Sequence, residues 1–219
     1  MTDNLRELAG RTSLLACLPD RLRETVSRET FDRLQRFAEL LRDETRHQNL
    51  VSASTLESLW ERHILDSAQL ARFEPFPGAS WVDIGSGAGL PGIVIALLVT
   101  GPVTLIEPRR LRAEFLERAV AELGLGGRVT VAPVKVERLC GRYDAITARA
   151  VAPLAKLLGI STHLSTGKTL WVLPKGRSAQ SELAEARRNW HCEVESVPSS
   201  TDPKSEILLI RNVKAKGGR

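Results

Sequence analysis

The spacing of apolar residues divides the chain into two styles of local structure. Phe31, Leu34, Phe37 and Leu41 recur at steps of three and four, which places them on one face of an amphipathic helix. A second helix is expected to open at Ser54, with Glu57 three residues on as its capping-box partner. Its apolar side would carry Leu56, Leu59, Trp60, His63, Ile64 and Leu70. Residues 1 to about 75 therefore read as helical, closed by the turn-forming run Pro75-Phe76-Pro77-Gly78.

Beyond Gly78 short apolar strands alternate with helices. WVDI at 81–84 reads as a buried strand, followed by a glycine-rich bend and an apolar helix with Ile93, Val94, Leu97 and Leu98. Further strands are expected at 103–107, 129–133, 143–147 and 169–174. Helices should run through 115–123, ended by Gly124, around 152–160, and near 178–190. The segments 192–197 and 206–213 are joined by a Pro/Ser/Asp connection and should pair antiparallel. Such alternation predicts an α/β fold, a mostly parallel sheet with helices on both faces. The expected organisation is a helical extension over 1–77, an α/β domain over 78–213 and a basic tail over 214–219.

Composition narrows the setting. With 219 residues, 42% of them hydrophobic and 26% charged, the chain can bury a core without disulfides or a structural metal. No apolar run approaches the roughly 20 residues that span a bilayer. The first residues, MTDNLRELAGR, mix acids and bases unlike a secretory signal, so the expectation is a cytoplasmic protein with no membrane partner. Cys17, Cys140 and Cys192 are scattered, as are His47, His63, His163 and His191, and no metal site is expected. Nothing suggests a coiled coil, and a monomer is expected. The net charge of +5 favours a polyanionic partner through counterion release, although proteins that never touch nucleic acid are often this basic.

The densest chemical signal is D-I-G-S-G-A-G-L-P-G at 83–92. Gly85, Gly87 and Gly89 lie in a strand-to-helix bend, where a backbone without Cβ lets a ligand approach. Gly87-x-Gly89-x-x-Gly92 also fits the dinucleotide fingerprint. Asp83 tips the choice: a carboxylate there repels a pyrophosphate and attracts the cationic amino group of S-adenosylmethionine. Glu107 ends the next strand, where an acid accepts hydrogen bonds from both hydroxyls of a ribose, as in any nucleoside cofactor site. The alternatives are a nicotinamide-dependent oxidoreductase and a tight turn in a ligand-free α/β protein.

Several further motifs stand in a fixed order. They are Asn49-Leu50-Val51, Arg62-His63 with Asp66-Ser67, the bend at 83–92, and E-P-R-R-L-R at 107–112 with Phe115-Leu116. A-R-A at 148–150 and P-K-G at 174–176 complete the set. Over about residues 35 to 213 this pattern resembles the RsmG (GidB) family, bacterial methyltransferases that act on small-subunit ribosomal RNA. The chain departs from the family's common pattern at Val51, often Thr, and at Ala148, often Ser. The resemblance implies a class I S-adenosylmethionine-dependent methyltransferase fold, Rossmann-like, with a seven-stranded mostly parallel sheet, an antiparallel last strand and an N-terminal helical extension. It implies methyl transfer to N7 of one guanosine in 16S ribosomal RNA. The partner would be that RNA or the small ribosomal subunit, with no DNA. It places cofactor contacts on Gly85, Leu90, Val136, Glu137 and Arg149.

Guanine N7 carries a lone pair and no proton, so the reaction needs no general base; the sequence shows no evident nucleophile–base pair. Arg149, just after the fourth strand, is a candidate to bridge cofactor and RNA, with a structural ion pair as the alternative. Lys175 is a candidate phosphate contact or a solvated surface lysine. Arg109, Arg110 and Arg112 open a helix beside the cofactor edge and would bind RNA phosphates or form a solvated face. By spacing alone His63 packs with Trp60 and Ile64; the family match draws His63, Asp66 and Ser67 toward shaping the pocket. Other readings are a methyltransferase acting on protein or a small molecule, and a non-catalytic RNA-binding module.

Overall fold

The computed structural model describes residues 2–24 and 26–217. Three helices open the chain: α1 (Thr2–Cys17), α2 (Asp20–Arg23) and α3 (Arg28–Thr45). Ser27 caps α3 by accepting from the Thr30 amide at 3.1 Å. The face that α3 buries is the predicted one, Phe31, Leu34, Phe37 and Leu41, joined by Ala38. A continuous helical run follows over residues 60–73, with a π-helical opening, α4 (Asp66–Ala68) and a 3-10 end.

The expected helix start at Ser54 is not what forms. Ser52 Oγ bonds Ser54 Oγ and Thr55 Oγ1 at 3.1 Å each, and the Thr55 hydroxyl donates to the Ser52 carbonyl at 2.8 Å. Hydroxyl side chains that bond locally offer the backbone an alternative to helix. The segment folds instead into a short 3-10 turn at Ala53–Thr55, and regular helix waits until Trp60.

The strands are β1 (Trp81–Ile84), β2 (Val103–Ile106), β3 (Val129–Ala132), β4 (Ala145–Ala148), β5 (Leu170–Lys175), β6 (Trp190–Pro198) and β7 (Glu206–Ala215). They form one seven-stranded sheet in the order β3-β2-β1-β4-β5-β7-β6. All pairs among β1 to β5 are parallel, and β7 runs antiparallel to both its neighbours. This is the class I methyltransferase architecture that the family resemblance implies. Every residue of β1 is buried because it has strands on both sides and helices on both faces, whereas the edge strand β6 alternates half-buried and exposed positions. Strand β7 extends past Val213, and the Lys216 amide donates to the Asn189 carbonyl at 2.8 Å. The first part of the expected solvated tail is therefore sheet; Gly218 and Arg219 lie outside the described residues.

Helices α5 (Gly92–Leu98), α6 (Arg110–Glu122), α7 (Leu154–Ser161) and α8 (Ala179–Asn189) cover the sheet. Gly124 follows α6 at φ +65°, the left-handed cap its position predicted. Phe31, Phe37 and Leu41 of α3 share one apolar cluster with Ile93 and Leu97 of α5 and Leu116 of α6. The N-terminal helices are thus continuous with the core.

The connection between β6 and β7 is tied to the helical run by Gln69, which is fully buried. Its amide nitrogen donates to Ser199 Oγ at 3.0 Å and Thr201 Oγ1 at 3.1 Å, and its oxygen accepts from the Ser200 amide at 2.8 Å. Replacing Gln69 by Ala should lower the unfolding free energy by about 1–3 kcal/mol. Amide exchange across 199–205 should quicken; a denaturation midpoint equal to the parent's would show that the connection holds without this side chain.

Candidate functional site

The strand order turns back between β1 and β4, and in such sheets ligands bind in the crevice outside the carboxyl ends of the strands at that point. Asp83 stands at this end of β1, 1% exposed. Its Oδ2 accepts from the Gly92 amide at 3.0 Å, at the first residue of α5. Its Oδ1 is buried with no hydrogen-bond partner among the described residues. Burial pushes the carboxyl up to about 7; the nearby Ser86 hydroxyl, the Gly92 amide and the Arg149 charge offset part of the rise, and Glu107 adds to it. An unmet buried acceptor costs roughly 1–3 kcal/mol, more if charged. The position therefore favours a proton or a cationic donor.

The bend that follows divides its glycines between two jobs. A Cβ on Gly92 would lie 2.3 Å from Leu105 Cδ2 and 2.6 Å from Asp83 Oδ2, and one on Gly89 would lie 2.7 Å from Ile93 Cδ1. These two glycines make room for the protein's own packing. At Gly87 such a Cβ would make only ordinary contact, 3.6 Å from Arg112 Nη1, so it is the φ of +55° that asks for glycine there. The Gly87 amide donates to Glu107 Oε2 at 3.0 Å, and the Arg109 amide donates to Oε1 at 2.8 Å. Glu107 is thereby fixed at the end of β2, 3% exposed, with a second acceptor lobe left on each oxygen. Leu90 is buried at the end of the bend. Val136, buried, and Glu137, exposed, lie in a 3-10 turn (Val136–Arg138) just after β3, the next strand along the same edge.

Arg149 follows β4 and is held by residues far away in sequence. Its Nη1 meets Asp66 Oδ2 at 3.3 Å and its Nη2 meets His63 Nδ1 at 3.3 Å. A guanidinium only donates, so His63 Nδ1 accepts; the ring proton then sits on Nε2 and is donated to Thr55 Oγ1 at 3.0 Å. Burial, with Arg149 adding to it, lowers His63 to about 4, so the ring is neutral at physiological pH. Asp66 Oδ1 accepts from Gln69 Nε2 at 3.0 Å and Thr201 Oγ1 at 2.8 Å. The ion-pair alternative for Arg149 is therefore present, while its side chain remains 21% exposed. Ser67 is buried beside this network but not part of it.

Thr55, Gln69 and Thr201 were not singled out from the sequence. Gln69 lies one helical turn after Asp66, a usable signal; nothing local pointed to Thr201.

Lys175 is not a solvated lysine. Its Nζ donates to Glu182 Oε2 at 2.8 Å, with side-chain exposures of only 11% and 20%. Burial pushes Glu182 up, but hydrogen bonds from Lys175 and Ser178 outweigh it and leave the carboxyl below its ordinary range. Of the three arginines on the helix, Arg110 pairs with Glu114 at 2.8 Å on a solvated face. Arg112 reaches the Asn49 carbonyl at 3.4 Å beside the bend, and Arg109 sits at the N-cap of α6. Among the described residues no group of three His, Cys, Asp or Glu is placed to hold a metal ion. No described helix is long and apolar enough to cross a membrane.

The raised Asp83 pKa sets a sign for stability. A carboxyl whose folded pKa exceeds its unfolded value contributes stability below about 4 and loses it as pH rises through about 7. The ligand-free protein should therefore become less stable across that interval, and Asp83→Asn should flatten this component. Urea titrations at a series of pH values test it; parallel profiles for parent and variant would contradict the buried, unpaired oxygen.

Comparison with known proteins agrees with this geometry. The sequence profile of the family described as rRNA small subunit methyltransferase G matches residues 30–208. A ribosomal RNA small subunit methyltransferase G from Rhizorhabdus wittichii is 44% identical over 198 residues, covering 88% of this chain and 90% of the relative. The protein of that name from Novosphingobium aromaticivorans is 46% identical, covering 87% and 84%. Among solved structures, a methyltransferase from Geobacter sulfurreducens superposes with a TM-score of 0.56 at 19% identity, covering 80% of this chain and 87% of that one. TYW2 of P. horikoshii, solved in complex with MeSAdo, gives 0.54 at 12% identity, covering 69% and 62%; likenesses at this identity concern the fold.

Proposed function

The chain belongs to the rRNA small subunit methyltransferase G family, and on that footing we propose that it transfers a methyl group from S-adenosylmethionine to N7 of a guanosine in 16S ribosomal RNA. The observation that carries the cofactor assignment is the partnerless oxygen of Asp83 at the start of the glycine bend. A buried carboxylate there matches an ammonium group and opposes a diphosphate.

The chain's residues divide the work. Asp83, ionised, accepts from the amino group of the cofactor's methionine part. Glu107, pinned by two backbone amides, uses its remaining lone pairs for the ribose hydroxyls. Gly85, Gly87, Gly89 and Leu90 form the bend beneath it, and Val136 and Glu137 border the adenine. When bound, S-adenosylmethionine supplies an electrophilic methyl on a cationic sulfur. Guanine N7 has no proton to lose, so no base is required, in keeping with a neutral His63 already committed at both nitrogens. Catalysis is then orientation, which is worth about 7–11 kcal/mol in favourable cases. Arg149, held by Asp66 and His63, orients cofactor and RNA, and Ser67 packs behind them.

Arg109, Arg110, Arg112 and Lys175 are the proposed RNA contacts, and the net charge of +5 favours the polyanion. Residues 1–77 act as an extension to the catalytic domain, which runs from residue 78 to the end of β7 at Ala215. The protein works as a cytoplasmic monomer.

Small subunits and 16S rRNA lacking the modification should each be offered with labelled S-adenosylmethionine and the product mapped by mass. One methyl at a guanosine N7 is expected; no methylation of either RNA form by a protein that binds the cofactor would refute the proposal. Binding supplies a second test. Affinity for S-adenosylmethionine should rise as pH climbs through about 7, because Asp83 must shed its proton, and Asp83→Asn should weaken binding and remove the pH dependence. Calorimetry at several pH values reads both. Arg149→Ala should cut kcat by about 100-fold or more with a small change in Tm, as for loss of one group acting on the transition state.

A further inference from the structure

An open cleft of about 440 Å³ lies between the carboxyl ends of β4 and β5. Its first wall is apolar, built from Val151, Pro153 and Pro174. Val151 is 38% exposed yet leans on the bend: a Cβ on Gly85 would stand 2.7 Å from Val151 Cγ2. Ala150 before it has φ +56°, a left-handed conformation that residues with a Cβ seldom adopt. Strain of this kind gathers where a loop must present something. The cleft thus borders the glycine bend through an exposed apolar side chain.

The polar wall is the Lys175–Glu182 pair. Glu182 Oε2 accepts from Lys175 Nζ at 2.8 Å and from the Leu154 amide at 2.9 Å, and Oε1 accepts from Ser178 Oγ at 2.7 Å. Removing most of two charges from water is costly, and apolar residues would join strand to helix at least as well. What the pair offers the cleft is an ordered edge, an ammonium donor beside carboxylate acceptors.

We propose that this cleft receives the acceptor base and that Lys175 and Glu182 read it as guanine, Lys175 donating to O6 and the one free lone pair of Glu182, on Oε1, accepting from the 2-amino group. The assignment rests on the RNA-methyltransferase reading and extends it to the residues that choose the base. On its pairing edge guanine places one acceptor next to two donors. Adenine sets its amino donor against the ammonium, cytosine reverses both positions, and uracil points its O2 acceptor at the carboxylate. A base taken out of its stack is read along this edge and held by apolar walls, here Val151 and the two prolines. Guanine N7 lies on the base's other edge and keeps its lone pair for the methyl group.

The test uses the full chain with S-adenosylmethionine and small-subunit RNA carrying either guanosine or inosine at the methylated position. Inosine keeps N7, O6 and N1–H and lacks only the 2-amino group. Wild-type kcat/KM should be about 10-fold or more lower on the inosine RNA, the scale of one good base contact. In Glu182→Gln the ratio between the two RNAs should shrink toward one, with cofactor affinity unchanged. Equal rates of the wild type on both RNAs would overturn the proposal, and this comparison needs no folded variant. So would a Glu182→Gln variant that loses the same factor on both, since a purely structural carboxylate does not distinguish them. A wild type that binds cofactor but methylates neither RNA would refute the functional reading itself.

Discussion

One oxygen of Asp83 is held by the Gly92 amide and the other meets no donor, and much of the surrounding structure follows from keeping that carboxylate where it is. The held oxygen joins the end of β1 to the start of α5. The join is so close that residue 92 has no space for a Cβ, because one would collide with both Asp83 and Leu105. The bend between them is then forced outward, and its Gly87 amide fixes the second acid, Glu107, at the neighbouring strand end. Burial, with a smaller contribution from the neighbouring Glu107 carboxylate, raises the Asp83 carboxyl to about 7. The protein carries an unsatisfied acceptor inside its fold.

The other half of the site is assembled from separate parts of the chain. Arg149 leaves β4 and is received by Asp66 and His63 of the helical run, while Gln69 and Thr201 hold Asp66 in turn. The N-terminal helices and the β6–β7 connection thereby share in positioning one guanidinium. The common apolar cluster makes this possible: α3 and α5 pack as one body, so the helical run cannot shift against the sheet without opening the core. Burial also makes His63 a fixed acceptor toward Arg149 and removes it from acid–base work near neutral pH.

The strands were legible because each is a short apolar run ended by turn residues. The three parallel strands β2, β1 and β4 contain nothing polar except Asp83, Thr104 and Thr147. Structure and spacing part where local hydrogen bonding competes with periodicity. Ser54 and Glu57 match a helix start, but the hydroxyls of Ser52 and Thr55 claimed the segment for a turn. The tail looked solvated by composition, yet its first residues continue β7, because a strand persists as long as a partner strand is available to bond it.

Sequence by itself determined the two acids at strand ends, the glycine bend between strand and helix, and the parallel order of elements. These depend on residue type and spacing over a few positions. Tertiary structure alone decided which glycines leave no space for a Cβ, that Lys175 faces Glu182, and that residues 55, 63, 66, 149 and 201 meet. Those outcomes depend on how the carboxyl ends of the strands and the loops after them converge. A contact between residues more than a hundred positions apart has no local pattern to announce it.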